Sequence, residues 1–384
     1  MKWQCFILVS LFIILSSYSA KSVEAYSLAD PCDAEKCKLP DCRCASTDIP
    51  GGLSPEKTPQ IVTISFDDAL RDIDYQNYYS KVFEERKNPN GCPVSLTFFV
   101  SHNYTDYALA EDLYYNSSYE IADHSVDHRE PTTWWENATQ EEWTHEIMDQ
   151  KEILMKWGNI PADAIKGFRA PFLVTSENEL MSLYSNNFTY EASMGTQDLY
   201  WPFTLDYKSP ICNKPATCPE NSYPGLWLVP NIWYEQKNGL PCSMLDACTS
   251  LQTEQDWLQF FVDNFNKHYK NRTPFGLYAH SAFFYFGPQR AAALNAFLDK
   301  LKSMDDVYIV THSQLLDWIR NPTPLDKIKD FVPWQCPKRP VPRCSYQKPN
   351  CQKVYPVGTA QMTLKTCTTP CPLNYPHYGD PNGN

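Results

Sequence analysis

Apolar and polar positions along this chain follow two different periods between residue 60 and about residue 320. Short apolar runs rich in Val, Ile, Phe and Tyr predict strands at 61–66, 94–100, 119–122, 165–168, 226–230, 276–278 and 307–310. Between them, apolar residues recur at helical spacing over 75–86, 139–157, 253–269, 288–302 and 313–319. Two of these helices begin with capping sequences, at Thr139 and Thr253. Strands that alternate with helices predict an α/β fold built from βα units.

The length fits one large domain with additions, because an α/β barrel often takes about 200–250 residues as a single unit. We predict this domain over 59–320, with a cysteine-rich insertion at 208–250. A cysteine-rich segment over 26–58 precedes it. From residue 321 the periodicity disappears and Pro, Cys and single aromatic residues dominate. This composition predicts a disulfide-held wrap over 321–384.

The first 25 residues have the composition of a secretory signal. Lys2 gives the positive start, 6–15 the apolar stretch, and Ala20 or Ala25 the small residue before cleavage near 20–25. The apolar stretch is too short to span a bilayer, and no other stretch approaches the roughly 20 residues that a membrane helix needs. We therefore expect an exported protein without a membrane span.

Cysteine content and charge agree with export. Removing Cys5 with the signal reduces the 15 cysteines to 14, an even number that can form up to seven disulfides. Cys-x-x-Cys pairs are absent, which favours disulfides over a zinc ribbon. The formal charge of −12 argues against nucleic acid as a partner. Five sequons are compatible with a glycosylated surface, and they lie at Asn103, Asn116, Asn137, Asn187 and Asn271.

Acidic and histidine residues follow two of the predicted strands. Asp68, His124 and His128 offer one carboxylate oxygen and two imidazole nitrogens to a divalent metal, which leaves Asp67 to take a proton from water. Each motif alone also has an ordinary interpretation. Adjacent acids often form a solvated turn, and with 8 His in 384 residues a pair spaced by four arises by chance roughly one time in six. The combination at two strand ends favours a metal site.

Three further segments complete an ordered series of motifs: Gly-Phe-Arg-Ala-Pro-Phe at 167–172, Tyr-Trp-Pro-Phe-Thr-Leu-Asp-Tyr at 200–207, and Gly-Leu-Tyr-Ala-His at 276–280. With these, the chain resembles polysaccharide deacetylases of the NodB-homology type, and in particular the short insect chitin deacetylases, over about 30–380. The resemblance implies a distorted (β/α) barrel with disulfide-rich insertions and a C-terminal wrap. It also implies an enzyme that removes N-acetyl groups from chitin or chito-oligosaccharides, leaving glucosamine units and acetate.

The resemblance implies roles for the residues that carry out the reaction. Asp67 matches the catalytic base. Asp68, His124 and His128 match the metal ligands, which in this family normally hold Zn²⁺ and in some relatives Co²⁺ or Ni²⁺. His280 matches the general acid that protonates the departing amine.

The remaining motif residues would support these groups and bind substrate. Arg169 matches the residue that orients the base, and Phe172 stands where many members have Tyr, whose backbone N–H serves the oxyanion. Trp201 and Asp206 match the fourth motif, as an apolar wall and as the carboxylate that holds the catalytic histidine. Tyr278 lies in the fifth motif, at a position that is commonly Leu, and we expect it to contact substrate.

Other functions fit the sequence less well. A two-carboxylate glycosidase needs acids about 5–9.5 Å apart, which the sequence neighbours Asp67 and Asp68 do not provide. There is no His-Glu-x-x-His segment of a zinc protease. The alternative that remains is a non-catalytic or weakly active chitin-binding protein that organises an extracellular matrix such as gut lining or cuticle. The sequence does not indicate the oligomeric state.

Overall fold

The computed structural model describes residues 26–212, 218–336 and 338–384. The predicted secretory signal over 1–25 lies outside the described residues. In chain order the strands are β1 (Gln60–Asp68), β2 (Thr97–Val100), β3 (Glu120–Asp123), β4 (Gly167–Phe168), β5 (Tyr190–Glu191), β6 (Gly195–Thr196), β7 (Phe203–Leu205), β8 (Tyr223–Leu228), β9 (Asn231–Ile232), β10 (Tyr234–Glu235), β11 (Pro241–Cys242), β12 (Phe275–His280), β13 (Val307–Ile309), β14 (Cys351–Val357) and β15 (Ala360–Thr366). The α-helices are α1 (Asp72–Asp74), α2 (Ser80–Phe83), α3 (Tyr107–Tyr115), α4 (Thr132–Asn137), α5 (Gln140–Gly158), α6 (Glu177–Ser185), α7 (Glu254–Asn271), α8 (Ala282–Tyr285), α9 (Pro288–Lys302) and α10 (His312–Arg320).

The main sheet is mostly parallel and confirms the predicted α/β fold. Its order is β12-β1-β2-β3-β4-β5-β8-β7, with β13 paired to the start of β1. All of these pairs are parallel except β7 with β8. The short pair β6-β9 lies beside this ladder, and the hydroxyl of Tyr278 in β12 donates to the carbonyl of Pro230, just before β9. The carboxyl ends of the parallel strands therefore meet at one edge of the sheet.

The sheet is buried on both faces. Successive residues of β1 belong to two different hydrophobic clusters, one on each face of the sheet. Ile61 and Phe99 belong to one cluster, whereas Val62 and Phe98 belong to the other, which includes the buried residues of the helices. A parallel sheet covered in this way produces continuous apolar runs rather than alternating ones. This burial is the physical origin of the runs that predicted the strands.

Helix termini follow the predicted capping sequences in two long helices. Thr139 accepts a hydrogen bond from the Glu142 amide at the start of α5, and Thr253 accepts one from the Asp256 amide at the start of α7. The helix predicted over 75–86 is instead distributed over α1, one π-helical turn at Tyr75–Tyr79, and α2. Among the described residues, no helix combines the length and the hydropathy needed to cross a membrane.

Helix α3 was not predicted, because it is buried nearly all round. Its buried residues include Tyr107, Ala108, Leu109 and Leu113. Asp112, Tyr114 and Tyr115 are the residues of α3 that are not buried, so its polar face is narrow and the 3.6-residue period that reveals amphipathic helices is weak.

The cysteines of the described chain form disulfides, as predicted. Two lie at the start, two clamp short loops in the central insertion, and one joins the start of the sheet domain to the tail. The last two hold the C-terminal region. The pairs are Cys32–Cys44, Cys37–Cys42, Cys92–Cys336, Cys212–Cys218, Cys242–Cys248, Cys344–Cys367 and Cys351–Cys371. The tail also contains the antiparallel hairpin β14-β15, where no regular element was expected.

Candidate active site

Strand register brings the motif residues into one row. Asp67 of β1 is paired with His280 of β12, and Asp68 is paired with Val100 of β2. Val100 is in turn paired with Asp123 of β3, and Asp123 with Phe168 of β4. His124 and Arg169 are the next residues after these last two strands, so four separate motifs end at the same edge of the sheet.

Asp68, His124 and His128 converge on one point. Asp68 Oδ1 lies 3.6 Å from His124 Nε2 and 3.5 Å from His128 Nε2. The ligating atoms of the three residues all lie within 4.8 Å of one another. Ligands bonded to a tetrahedral zinc ion at about 2.0–2.1 Å lie about 3.3–3.4 Å apart. The carboxylate and the two imidazoles thus have nearly the separations that one shared cation requires.

The orientation of His124 also fits a metal. Its Nδ1 lies 2.7 Å from the carbonyl oxygen of Arg169, an arrangement in which Nδ1–H donates and Nε2 keeps its lone pair. His124 Nε2 is buried and has no hydrogen-bond partner among the described residues. A buried, unpaired imidazole nitrogen is unfavourable unless something binds it. The donor set of two imidazoles and one carboxylate suits Zn²⁺, Co²⁺ or Ni²⁺ better than Mg²⁺ or Ca²⁺.

The loop that carries His128 is held by a buried carboxylate. Glu146 of α5 accepts hydrogen bonds from the amides of Val126 and Asp127, each at 3.0 Å, and pairs with Arg129 at 2.9 Å. Burial, and then repulsion by His124, lowers the pKa of His128 to about 4. His128 is therefore neutral near pH 7 and can offer a lone pair.

Asp67 forms a buried ion pair with Arg169. Arg169 Nη1 donates to Asp67 Oδ1 at 2.7 Å and to Ser65 Oγ at 2.9 Å, and its Nε donates to the Ala192 carbonyl at 2.8 Å. The guanidinium also lies 4.1 Å from the ring centroid of Phe99. These contacts fix Arg169 on several sides, so that it can hold the Asp67 carboxylate in one orientation.

His280 is held by Asp246, which the sequence did not reveal. Asp246 Oδ1 accepts a hydrogen bond from the His280 amide at 3.0 Å, and Asp246 Oδ2 lies 2.8 Å from His280 Nδ1. Burial disfavours the charged ring, but the hydrogen bond and charge of Asp246 outweigh it and raise the pKa of His280 to about 9. The other nitrogen, Nε2, lies 3.9 Å from Asp68 Oδ2. His280 is thus a protonated histidine beside the candidate metal site.

The prediction that Asp206 holds the histidine is wrong. Asp206 follows β7, which runs antiparallel to its neighbour, so the carboxyl end of β7 lies at the edge of the sheet away from the site. Its carboxylate accepts a hydrogen bond from the Gly225 amide at 3.0 Å. Asp246 has the role that was predicted for Asp206. The one available signal was that Asp246 lies inside the short loop closed by Cys242–Cys248, a rigid support for a side chain.

Two predicted substrate contacts are buried instead. Trp201 is fully buried, and its ring stacks on that of Trp318 at 5.5 Å. Tyr278 is 3% exposed, and a Cβ placed on Gly276 would lie 1.9 Å from the Tyr278 hydroxyl, so the ring covers that glycine inside the fold. Both side chains fill the core and cannot touch a polymer. Phe172, in contrast, is 39% exposed, and its ring lies 4.6 Å from that of His128.

Left-handed backbone conformations are concentrated at this edge. Asp68, Ser125, His128 and Phe172 have φ values of 79°, 70°, 47° and 57°. Residues other than glycine adopt such angles rarely, and where they do so together the surrounding structure imposes them. At Asp68 this turn ends the regular alternation of β1, which allows the two adjacent aspartates to serve different partners.

Comparisons with known proteins find relatives of this chain. The family model described as polysaccharide deacetylase matches residues 54–191. The chain is 39% identical to chitin deacetylase 8 of Bombyx mori over 394 aligned residues, which cover 98% of each chain. It is 34% identical to chitin deacetylase 1 of Bombyx mori over 377 residues, covering 93% of this chain and 69% of that protein.

Solved structures with a similar backbone are more distant in sequence. A structure described as a putative polysaccharide deacetylase from Mycobacterium smegmatis has a TM-score of 0.49 and 19% identity, covering 73% of this chain and 96% of that one. A family 4 acetyl xylan esterase from Clostridium thermocellum has a TM-score of 0.40 and 17% identity, covering 70% of this chain and 96% of that one.

Proposed function

Because the chain belongs to the polysaccharide deacetylase family, we propose that it is a secreted, metal-dependent hydrolase that removes N-acetyl groups from chitin or chito-oligosaccharides. The observation that carries this proposal is the unpaired Nε2 of His124, which faces Asp68 and His128 beside a base and an acid on adjacent strands. The products are glucosamine units within the polymer and free acetate.

The metal would be held by Asp68, His124 and His128. A divalent cation there supplies Lewis acidity toward the acetyl carbonyl and makes the attacking water more acidic. We propose Zn²⁺ for this site, with Co²⁺ or Ni²⁺ as possible substitutes, since the donor set suits all three.

Two side chains of the site would transfer protons during the reaction. Asp67 accepts a proton from the attacking water, and Arg169 holds this carboxylate in a fixed orientation. His280 donates a proton to the departing amine, because Asp246 keeps its ring charged. Asp67 and His280 are register partners, so their backbones lie about 4.8 Å apart across neighbouring strands. The backbone N–H of Phe172 is proposed to stabilise the oxyanion, as the family motif implies.

Extracellular placement belongs to the same proposal. Disulfides throughout the described chain form and persist in oxidising compartments. Of the predicted sequons, Asn116, Asn137, Asn187 and Asn271 are exposed, as glycan attachment requires. We propose a chitinous matrix, such as gut lining or cuticle, as the place of action.

The decisive experiment measures acetate release from acetylated chito-oligomers, with the purified protein, with and without a chelator, and after Zn²⁺ is added back. We expect release that the chelator abolishes and the metal restores. Absence of release with metal supplied, together with retention of the protein on chitin beads, would instead support a non-catalytic chitin-binding protein.

A further inference from the structure

In the described part of the chain, the exposed aromatic side chains lie after strands that end at one edge of the sheet. Among the described residues, the Phe, Tyr and Trp side chains with exposed surfaces are Tyr104, Phe172, Tyr285 and Phe286, at 59%, 39%, 48% and 61%. Each lies within six residues of the carboxyl end of a parallel strand: Tyr104 after β2, Phe172 after β4, and the other two after β12. All three strand ends belong to the edge that carries the metal-binding triad. Exposed aromatic surface is unfavourable in water, and its concentration around one site indicates a ligand.

Phe172 borders the site on the side of His128. Its ring is 4.6 Å from the imidazole of His128, in an edge-to-face arrangement. A sugar whose acetyl group reaches the triad would therefore meet Phe172 directly.

Tyr285 borders the site on the side of His280. Its hydroxyl is hydrogen bonded to both Asp74 and Arg71, which lie on the segment that follows Asp68. Asp74 is buried, and Arg71 Nε donates to it at 2.7 Å. Tyr285 thus links the loop after β1 to the loop after β12 through a buried carboxylate. The ring is held in place before any ligand arrives, which reduces the entropy lost on binding.

Phe286 extends this surface outward. It follows Tyr285 at the end of α8, and nearly two thirds of its side chain is open to solvent. Strands β12 and β4 are separated by four strand spacings, about 19 Å along the sheet before curvature shortens it. A surface of this length is longer than one sugar ring.

We propose that Tyr285 and Phe286 form a binding subsite for a hexosamine unit next to the one that is deacetylated. This inference rests on the proposed function and adds to it a preference for longer oligomers. The apolar C–H face of a pyranose ring can stack on an aromatic ring, while its hydroxyl groups stay in water. In this subsite, Tyr285 is the immobilised stacking surface, and Phe286 is the more exposed of the two rings.

Phe286→Ala tests the subsite without replacing a proposed metal ligand, the base or the acid; the contact that is lost within the protein is with Arg290, whose guanidinium lies 4.7 Å from the centroid of the Phe286 ring. We expect the KM for long chito-oligomers to rise about three- to tenfold relative to the KM for the shortest oligomer turned over, with kcat little changed, since one aromatic stack has about this worth. Phe286→Tyr keeps a ring and should restore the preference for longer oligomers. Val332→Ala, at a position 79% exposed and remote in sequence, is the surface control.

Two results would overturn the subsite. One is that KM depends on oligomer length in Phe286→Ala as it does in the unaltered protein. The other is that KM rises by the same factor for oligomers of every length. Calorimetric binding of the same oligomers to Asp67→Asn and to Asp67→Asn with Phe286→Ala separates this proposal from the proposed function. If the wild type releases no acetate, a weaker binding of long oligomers in the double variant still supports the subsite, and equal binding refutes it.

Discussion

Replacing Asp246 by Asn tests how His280 is kept charged. The change preserves the size of the side chain, and the amide oxygen can still accept the hydrogen bond that the His280 amide donates at 3.0 Å. What is lost is the negative charge 2.8 Å from His280 Nδ1. The variant therefore removes the cause of the raised pKa while leaving the loop closed by Cys242–Cys248 intact.

The expected magnitude follows from the fraction of charged histidine. With a pKa of about 9, His280 is about 99% protonated at pH 7 and about 91% at pH 8. With the ordinary pKa of about 6.5, these fractions fall to about 24% and about 3%. Because only the protonated ring can donate, Asp246→Asn should keep about a quarter of the activity at pH 7 and about a thirtieth at pH 8. A cation on Asp68 would lower the pKa of His280 in both proteins, so these retained activities are upper limits for an assay with saturating metal.

The assay is kcat/KM for acetate release from a chito-oligomer, with saturating metal, from about pH 6 to about pH 10. We expect kcat/KM to begin its decline at a lower pH in Asp246→Asn than in the unaltered protein. Asp206→Asn is the matched control, because Asp206 is an equivalent carboxylate that lies at the far edge of the sheet. A decline at the same pH in the unaltered protein and in Asp246→Asn would refute the reasoning. So would a shift of the same size in Asp206→Asn.

Three further variants test the remaining assignments. Asp67→Asn removes the proton acceptor, so acetate release should fall by about 10²–10⁴ while the metal content measured by mass spectrometry is unchanged; loss of metal would show that Asp67 is a ligand. His124→Ala removes a ligand, so metal content and acetate release should fall together, and full metal content in the variant would contradict the site. Arg169→Met leaves Asp67 buried without its cation, which should lower the free energy of unfolding by about 3–5 kcal/mol in urea denaturation. A loss below about 1 kcal/mol would mean that the pair contributes little to stability.

The site residues that could be predicted from the sequence are those that lie at the ends of strands. Asp67, Asp68 and His124 each lie within one residue of a strand terminus, and parallel strands bring such termini to one edge. Their proximity therefore follows from the order of local elements along the chain. Trp201 and Tyr278 occur in the same motifs, but a sequence does not show which side of a strand or loop faces solvent when both sides are apolar. Their burial in the core is decided by packing against Trp318 and over Gly276.

Asp246 could not be predicted because its role depends on a connection through space. It lies in the 3-10 helix Leu245–Ala247, outside the strands of the main sheet. The disulfide between Cys242 and Cys248 confines this helix. Asp246 then accepts two hydrogen bonds from His280, one from its backbone amide and one from its ring. The general acid is thus positioned by two independent supports, β12 through its backbone and the insertion through a carboxylate. Variation in the insertion can therefore tune the acid without disturbing the strand row that holds the metal and the base.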